Sequence, residues 1–210
     1  MTKISLTQAG KRFNKDWIFS SLDFNFNQGE HYAIIGNNGS GKSTLLQIIA
    51  GYGTLTKGTV QWEGHDATTI FQDISFAAPY LELVEEFTTL EQFNFHTQFK
   101  PLQKQLTVEQ LIELIGLKKA ADKQIRYFSS GMKQRLKLAL AIFSDSPLLL
   151  LDEPCSNLDQ EGYELYHHLI QQYALHKLII VGSNDKEEYQ FCSQHLNLMD
   201  YKSKSNEVTS

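Results

Sequence analysis

The chain has 210 residues, with a hydrophobic fraction of 41% and a charged fraction of 20%, which is the composition of a globular protein with a substantial core. The formal net charge is -5 and no dense block of lysine and arginine occurs, so a nucleic-acid partner is not expected. The two cysteines, Cys155 and Cys192, are too few for a disulfide framework and indicate reduced thiols.

Near the N-terminus, apolar and polar residues alternate in two short segments, residues 4–7 and 22–27. Alternation with a period of two is typical of strands that bury only one face. Residues 28–30 contain a glycine and turn the chain. These segments predict an antiparallel sheet at an edge of the protein.

Three further segments are apolar without alternation: residues 31–35, 148–151 and 178–181. Short, continuous apolar runs bounded by turns indicate strands that are buried on both faces of a parallel sheet. Polar clusters follow the first two runs directly. An open α/β sheet has its ligand site at the carboxyl ends of such strands, so we expect the functional site there.

The middle of the chain is predicted to be helical. A helix begins near Thr89, residues 107–117 carry a helical apolar stripe that a glycine stops, and residues 132–143 have the same character. We therefore interpret residues 1–80 and 145–201 as a discontinuous α/β core and residues 81–144 as an inserted helical subdomain. The polar residues 202–210 are expected to fray as a tail.

A phosphate-binding motif follows the apolar run 31–35 and precedes a predicted helix. This phosphate loop consists of Gly36, Asn37, Asn38, Gly39, Ser40, Gly41, Lys42, Ser43 and Thr44. Its glycines let the backbone N–H groups curl around phosphate oxygens, and the helix N-terminus adds partial positive charge. We expect it to bind ATP, with Lys42 on the β- and γ-phosphates, the Ser43 hydroxyl on Mg²⁺ and Thr44 supporting the phosphates.

Two adjacent carboxylates, Asp152 and Glu153, end the apolar run 148–151. A carboxylate at the end of a buried strand is costly unless it is paired or binds a metal. We interpret Asp152 as a contact to Mg²⁺ through water, and Glu153 as the general base that orients and deprotonates the attacking water. Taken without the phosphate loop, the pair could equally be two solvated acids.

Residues 128–135 read Phe-Ser-Ser-Gly-Met-Lys-Gln-Arg, and residues 156–159 read Ser-Asn-Leu-Asp. With the two motifs above, this order resembles the ATP-binding cassette (ABC) ATPase family over nearly the whole chain. Ser129 and Gly131 match the family's Leu-Ser-Gly-Gly-Gln signature, and the second segment matches its D-loop, which ends at Asp159. The resemblance implies an α/β P-loop NTPase fold: a RecA-like core with an antiparallel β edge subdomain and an inserted α-helical subdomain.

The resemblance also implies how such a protein works. Two cassettes dimerise head to tail, and each ATP lies between the phosphate loop of one and the signature loop of the other, here Ser129, Ser130 and Gly131. An aromatic side chain stacks on the adenine. Phe13 has the family's spacing from the phosphate loop, and Trp17 is the alternative.

Three positions depart from the family's pattern. Ser130 replaces the first glycine of the signature. Pro79 stands where the family has a glutamine that contacts Mg²⁺ and water, and proline has neither a side-chain oxygen nor an N–H. Asn184 stands at the position of the switch histidine, where it can donate a hydrogen bond to a γ-phosphate but cannot become cationic. Nearby Gln72 or Glu82 could replace the glutamine only if the loop is rearranged. Because Pro79 and Asn184 alter the residues that face the γ-phosphate, we expect normal ATP binding with slow hydrolysis.

The leading hypothesis is the ATPase subunit of an ABC transporter. The most hydrophobic segment, residues 136–151, is too short and too polar to cross a bilayer. We therefore expect a separate transmembrane permease subunit. We also expect a second ABC subunit, which is either identical to this chain or different from it. Such a protein would lie in the cytoplasm, peripheral to the cytoplasmic face of a membrane. The alternatives are a soluble ABC ATPase without a transport role and a nucleotide-dependent regulatory module with little hydrolysis.

Overall fold

The computed structural model describes residues 3–104 and 106–202; most of the predicted polar tail lies outside these residues. The strands and helices follow one another as β1 (Lys3–Phe13), β2 (Asp16–Asn27), β3 (His31–Ile35), α1 (Lys42–Ile49), β4 (Lys57–Trp62), β5 (Ile74–Ala77), α2 (Thr89–Thr97), α3 (Val108–Leu114), α4 (Ser130–Phe143), β6 (Leu148–Asp152), α5 (Gln160–Tyr173), β7 (Leu178–Gly182), α6 (Lys186–Tyr189) and β8 (Gln194–Asn197).

The predicted antiparallel sheet is present and has the strand order β2-β1-β4. Its alternating residues behave as expected, because Ile4 and Leu6 of β1 and Phe26 of β2 are buried while their neighbours are more exposed. The pairing of β1 with β2 shifts register between Leu6 and Arg12, and irregularities of this kind bend a strand.

The second sheet has five parallel strands in the order β5-β6-β7-β3-β8. Every residue of β6 and β7 is buried, as the continuous apolar runs predicted. Alternate residues of these strands enter two different cores. Leu149 and Ile179 pack towards the helices α4 and α5, whereas Leu150 and Ile180 pack towards α1 and the antiparallel sheet. The α/β fold class is confirmed.

Helices α2, α3 and α4 lie between β5 and β6 in the chain, where the helical segment was predicted. The first two begin with capping boxes, in which Thr88 pairs with Glu91 and Thr107 pairs with Gln110. Gly116 follows α3 with a φ of +74°, which suits the glycine stop. The division into a core and a helical subdomain remains our interpretation. Across residues 3–104 and 106–202, no helix is both long and apolar enough to cross a membrane.

Candidate nucleotide-binding site

The phosphate loop joins the carboxyl end of β3 to the N-terminus of α1. Gly36, Gly39 and Gly41 have positive φ angles of 150°, 75° and 102°. A Cβ atom at Gly41 would overlap Cγ2 of Ile18, and one at Gly36 would lie 2.7 Å from Oγ of Ser40. Both positions therefore need glycine for space as well as for backbone conformation.

Lys42 lies inside the curve of this loop. Its side chain is almost wholly buried, and Nζ donates a hydrogen bond of 2.9 Å to the Gly36 carbonyl. An ammonium group beside the N-terminus of α1 makes the loop electropositive. The arrangement suits a phosphate group, as the sequence predicted.

Asp152 ends β6 next to this loop, and its side chain is buried. The Ser43 and Tyr80 hydroxyls and the Lys42 ammonium all act on the carboxylate, but burial outweighs them and raises the pKa of Asp152. Within the described residues, neither carboxylate oxygen accepts a hydrogen bond of normal geometry. A buried carboxylate in this condition, facing a serine hydroxyl, is the oxygen-donor set that Mg²⁺ prefers, so the residues fit the metal.

Glu153 follows with an exposed side chain and a φ of +43°, which is rare for a residue with a Cβ. Its backbone N–H donates to the Gly182 carbonyl at 2.9 Å, which ties this turn to β7. Such a conformation costs on the order of 1–3 kcal/mol and is concentrated at functional sites. Glu153 lines a cavity of 240 Å³ together with Lys42 and Ser43.

Asn184 follows β7 and reaches the phosphate loop, although it is far from that loop in sequence. Its amide Nδ2 donates a hydrogen bond of 2.7 Å to Oδ1 of Asn38. The structure therefore brings four of the predicted features together at one edge of the parallel sheet: the phosphate loop, Asp152, Glu153 and Asn184.

Pro79 follows β5 at the same edge, and its carbonyl accepts a hydrogen bond of 2.7 Å from Lys137 of α4. Neither of the predicted substitutes for the family's glutamine is well placed. Gln72 lies in a turn before β5, at the opposite end of the strand, and Glu82 lies near the Lys137 charge. Tyr80, which the sequence analysis did not consider as a site residue, follows Pro79, and burial together with the charge of Asp152 raises the pKa of its phenol.

The signature loop begins α4. Ser129 is the N-cap of this helix, and its Oγ accepts a hydrogen bond of 3.2 Å from the Met132 N–H. Ser130 is exposed, and Gly131 packs so closely on the D-loop that a Cβ there would lie 3.1 Å from the Asn157 carbonyl oxygen. Ser129 therefore caps the helix that the signature loop begins.

The D-loop is joined to α4 by an ion pair. Asp159 caps α5 by accepting a hydrogen bond of 2.9 Å from Gly162 N–H, and it also pairs with Arg135 at 3.2 Å. Both loops line one cavity of 410 Å³. That cavity shares no lining residue with the 240 Å³ cavity at the phosphate loop, so one chain does not bring its own signature loop into that cavity.

The two aromatic candidates for adenine stacking lie on the β1–β2 hairpin. Phe13 is 52% exposed, with Nζ of Lys11 5.0 Å from the ring centroid. Trp17 packs over Gly10 and precedes Ile18, which lines the phosphate-loop cavity. The pairing of β1 with β2 shifts register at Ile18, so strand alternation does not decide between the two residues, and the assignment of the adenine to Phe13 stays a prediction.

Comparison with known proteins gives the family. The family model described as ABC transporter matches residues 19–156. The chain belongs to this ABC transporter family. The uncharacterized ABC transporter ATP-binding protein YybJ of Bacillus subtilis (strain 168) is 31% identical over 192 residues, which cover 88% of this chain and 87% of that protein. The cytochrome c biogenesis ATP-binding export protein CcmA of Xylella fastidiosa (strain 9a5c) is 35% identical over 156 residues, which cover 73% of this chain and 70% of that protein.

A solved structure agrees with the ABC fold. The ATP-binding cassette MJ0796, in a dimeric post-hydrolysis state bound to ADP and Pi, superposes with a TM-score of 0.80 over 92% of this chain and 93% of that chain, at 23% identity. The resemblance stated from the motifs is thus confirmed, and the protein is an ABC ATPase. The roles of its individual residues remain predictions.

Proposed function

We propose that this ABC ATPase is the ATP-binding and ATP-hydrolysing subunit of a transporter and that it drives a separate transmembrane subunit through ATP-dependent dimerisation. The observation that carries the proposal is the buried, unsatisfied carboxylate of Asp152, which faces Ser43 at the edge where Lys42 and Glu153 also lie. This group needs a positively charged ligand, and Mg²⁺ with ATP supplies one.

The phosphate loop binds the nucleotide. Lys42 exchanges its hydrogen bond to the Gly36 carbonyl for the β- and γ-phosphates, and the backbone N–H groups of residues 36–44 surround the same phosphates. Phe13 stacks on the adenine. Ser43 and Asp152 hold Mg²⁺, the latter through water; when bound, this ion neutralises charge on the β- and γ-phosphates.

Hydrolysis depends on the side chains that face the γ-phosphate. Glu153 accepts the proton of the attacking water as general base. Asn184 donates its amide N–H to the γ-phosphate after it leaves Asn38, with which it is hydrogen bonded in the structure. An amide is a weaker partner for this charge than an imidazolium ion, which supports slow turnover.

Two copies, or this chain and a related one, complete each site. The separate cavities at the phosphate loop and the signature loop support this arrangement, because neither cavity alone holds both sets of residues. Ser129, Ser130 and Gly131 face the γ-phosphate of the partner's ATP at the N-terminus of α4, and Asp159 keeps the D-loop beside them. ATP then joins the subunits, and its hydrolysis releases them.

A groove of 210 Å³ between β5 and the helices α2 and α4 is suited to the transmembrane subunit. Phe76 and Leu83 give it an apolar lining, and Lys100 and Lys137 add charge. Nearby in sequence, α2 exposes Phe95, and Phe99, which follows the helix, is 73% exposed. Exposed apolar side chains of this kind mark interaction surfaces. We place the protein on the cytoplasmic face of a membrane.

The test combines hydrolysis with dimerisation. Purified wild-type protein should hydrolyse ATP slowly and remain monomeric by light scattering, whereas Glu153→Gln should bind ATP and accumulate as a dimer. Lys42→Ala is the control, because it should lose both ATP binding and dimerisation. An equal turnover rate in wild type and Glu153→Gln would refute the catalytic assignment.

The transport role needs a separate measurement. The tagged protein should be recovered from native membranes together with a polytopic membrane protein. Consistent recovery from the soluble fraction without such a partner would favour a soluble ABC ATPase. The substitutions at Pro79 and Asn184 also support a second candidate, a nucleotide-dependent regulatory module, which the absence of measurable hydrolysis would favour.

A further inference from the structure

The turn that follows β6, residues 153–156, begins with the proposed general base and is here called the Glu153 turn. Glu153 has a φ of +43°, a rare conformation for a residue with a Cβ. The Ser156 N–H donates to the Glu153 carbonyl at 3.1 Å and closes the turn. Such a backbone conformation persists only where the surrounding structure holds it, so the partners of this turn decide where the Glu153 side chain lies.

Two neighbouring elements hold the first half of the Glu153 turn. The Glu153 N–H donates to the Gly182 carbonyl of β7 at 2.9 Å. The Pro154 carbonyl accepts a hydrogen bond of 2.7 Å from Nε2 of Gln134, a buried side chain of α4. The turn is thus fixed by the sheet on one side and by the signature helix on the other.

Glu188 of α6 holds the second half of the turn. Its Oε1 accepts a hydrogen bond of 2.8 Å from the Cys155 N–H, and the side chain is 3% exposed. The backbone of Glu188 is fixed as well, because Tyr166 of α5, which is fully buried, donates its hydroxyl to the Glu188 carbonyl at 2.7 Å. Glu188 lies four residues after Asn184, so it joins the loop of Asn184 to the Glu153 turn.

A carboxyl group is costly at this position. Burial is the largest effect on Glu188, the charges of Asp185 and Glu153 act in the same direction, and the pKa rises from 4.5 to about 7. An apolar side chain of similar size would avoid this cost, but it would leave the buried N–H of Cys155 without its acceptor. What the carboxyl group contributes in return is therefore its hold on the Glu153 turn.

We propose that Glu188 is a positioning residue for ATP hydrolysis, whose carboxyl group binds the Cys155 N–H and thereby keeps Glu153 in the backbone conformation that presents it to the attacking water. The inference rests on the proposed function, which makes Glu153 the general base. Misplacement of a catalytic group by about 1 Å can slow a reaction about a hundredfold. Because Glu188 acts on this turn and not on the phosphate loop, we expect it to affect the rate of hydrolysis and not the affinity for nucleotide.

The experiment compares Glu188→Met, which fills the same space without a strong acceptor, with Glu188→Gln, whose amide oxygen can still accept from the Cys155 N–H. Glu187→Met is the matched control, because it makes the same change at the exposed neighbouring side chain of α6. Single-turnover hydrolysis of ATP gives the rate, and the dissociation constant of a non-hydrolysable ATP analogue with Mg²⁺ gives the affinity. Glu188→Met should hydrolyse ATP about tenfold more slowly than the wild type, with an unchanged dissociation constant. Glu188→Gln should keep most of the rate, and Glu187→Met should equal the wild type.

Amide hydrogen exchange provides a second readout that does not depend on hydrolysis. The Cys155 amide should exchange faster in Glu188→Met than in the wild type and should stay protected in Glu188→Gln. Should Glu188→Met fail to fold, Glu188→Asp replaces it, since the shorter side chain draws the acceptor back from the Cys155 N–H and should also slow hydrolysis. Equal rates in Glu188→Gln and Glu188→Met, or a weaker affinity in the slow variant, would show that this hydrogen bond does not position Glu153 and would overturn the inference.

Glu153→Gln separates this inference from the proposed function. A large loss of rate in Glu153→Gln together with a normal rate in Glu188→Met would overturn the role of Glu188 alone. A normal rate in Glu153→Gln, or no hydrolysis by the wild type, would overturn the general base and this inference with it.

Discussion

Asp152→Asn should stabilise the nucleotide-free protein while it destroys the metal site. The Asp152 carboxylate is 1% exposed, burial raises its pKa, and no hydrogen bond of normal geometry from the described residues satisfies it. Leaving such a group unsatisfied costs about 1–3 kcal/mol, and an amide at the same place costs less, so the substitution should gain about 1–2 kcal/mol. For a domain of this size, that gain corresponds to a melting temperature higher by roughly 2–8 °C.

Binding of Mg²⁺-ATP should remove the advantage in melting temperature that Asp152→Asn has over the wild type. At a concentration about 100 times the dissociation constant, Mg²⁺-ATP stabilises the wild type by about 2.7 kcal/mol. If Asp152→Asn weakens binding about 100-fold, the same concentration stabilises the variant by only about 0.4 kcal/mol. The wild type should then melt at the same temperature as the variant or higher.

Thermal melts measured by circular dichroism, with EDTA and with Mg²⁺-ATP, test both halves of this reasoning. Glu153→Gln is the control, because it makes the same change of carboxylate to amide at an exposed side chain and should leave the EDTA melt within about 0.5 kcal/mol of wild type. A lower melting temperature for Asp152→Asn in EDTA would show that the carboxylate is satisfied in the free protein and would refute the argument.

Three further predictions concern neighbouring groups. Burial raises the pKa of Glu188 from 4.5 to about 7, so the free energy of unfolding should fall as the pH rises through that range. Glu188→Gln should abolish this fall and gain roughly 2–3 kcal/mol at about pH 8. Urea unfolding at several pH values would measure both effects. Asn184→His should raise the ATPase rate several-fold, because an imidazole can become cationic; an unchanged or lower rate would contradict the proposed cause of slow turnover. Gly131→Ala places a methyl group 3.1 Å from the Asn157 carbonyl and should weaken ATP-dependent dimerisation in sedimentation experiments without unfolding the protein, whereas unimpaired dimers would argue against the signature contact.

Much of the fold could be predicted because its strongest signals are local. The continuous apolar runs of β3, β6 and β7 have no other stable position than a sheet covered on both faces. β8 could not be predicted in this way, since Gln194–Asn197 contains one buried residue. This strand forms because the edge of β3 offers it a partner, with Tyr32 opposite Gln194 and Ile35 opposite Asn197.

The site residues also differ in how local their sequence signals are. The phosphate loop and the Asp152–Glu153 pair are contiguous in sequence, and each follows a buried strand, so their meeting at one edge follows from the topology of a parallel sheet. Contacts over long separations could not be predicted. The hydrogen bond between Asn184 and Asn38 joins residues 146 positions apart, and the one from Lys137 to the Pro79 carbonyl joins residues 58 positions apart.

The positions that depart from the family's pattern are therefore not equivalent in their consequences. ATP binding depends on the backbone of the phosphate loop and on side chains at the ends of buried strands, which the core holds rigidly. Pro79 and Asn184 lie on the loops that follow β5 and β7, where substitutions are tolerated most easily. At the first of these loops, proline leaves no side chain for the metal or the attacking water. At the second, Asn184 keeps a donor but cannot become cationic, so we expect both loops to slow hydrolysis while ATP binding is retained.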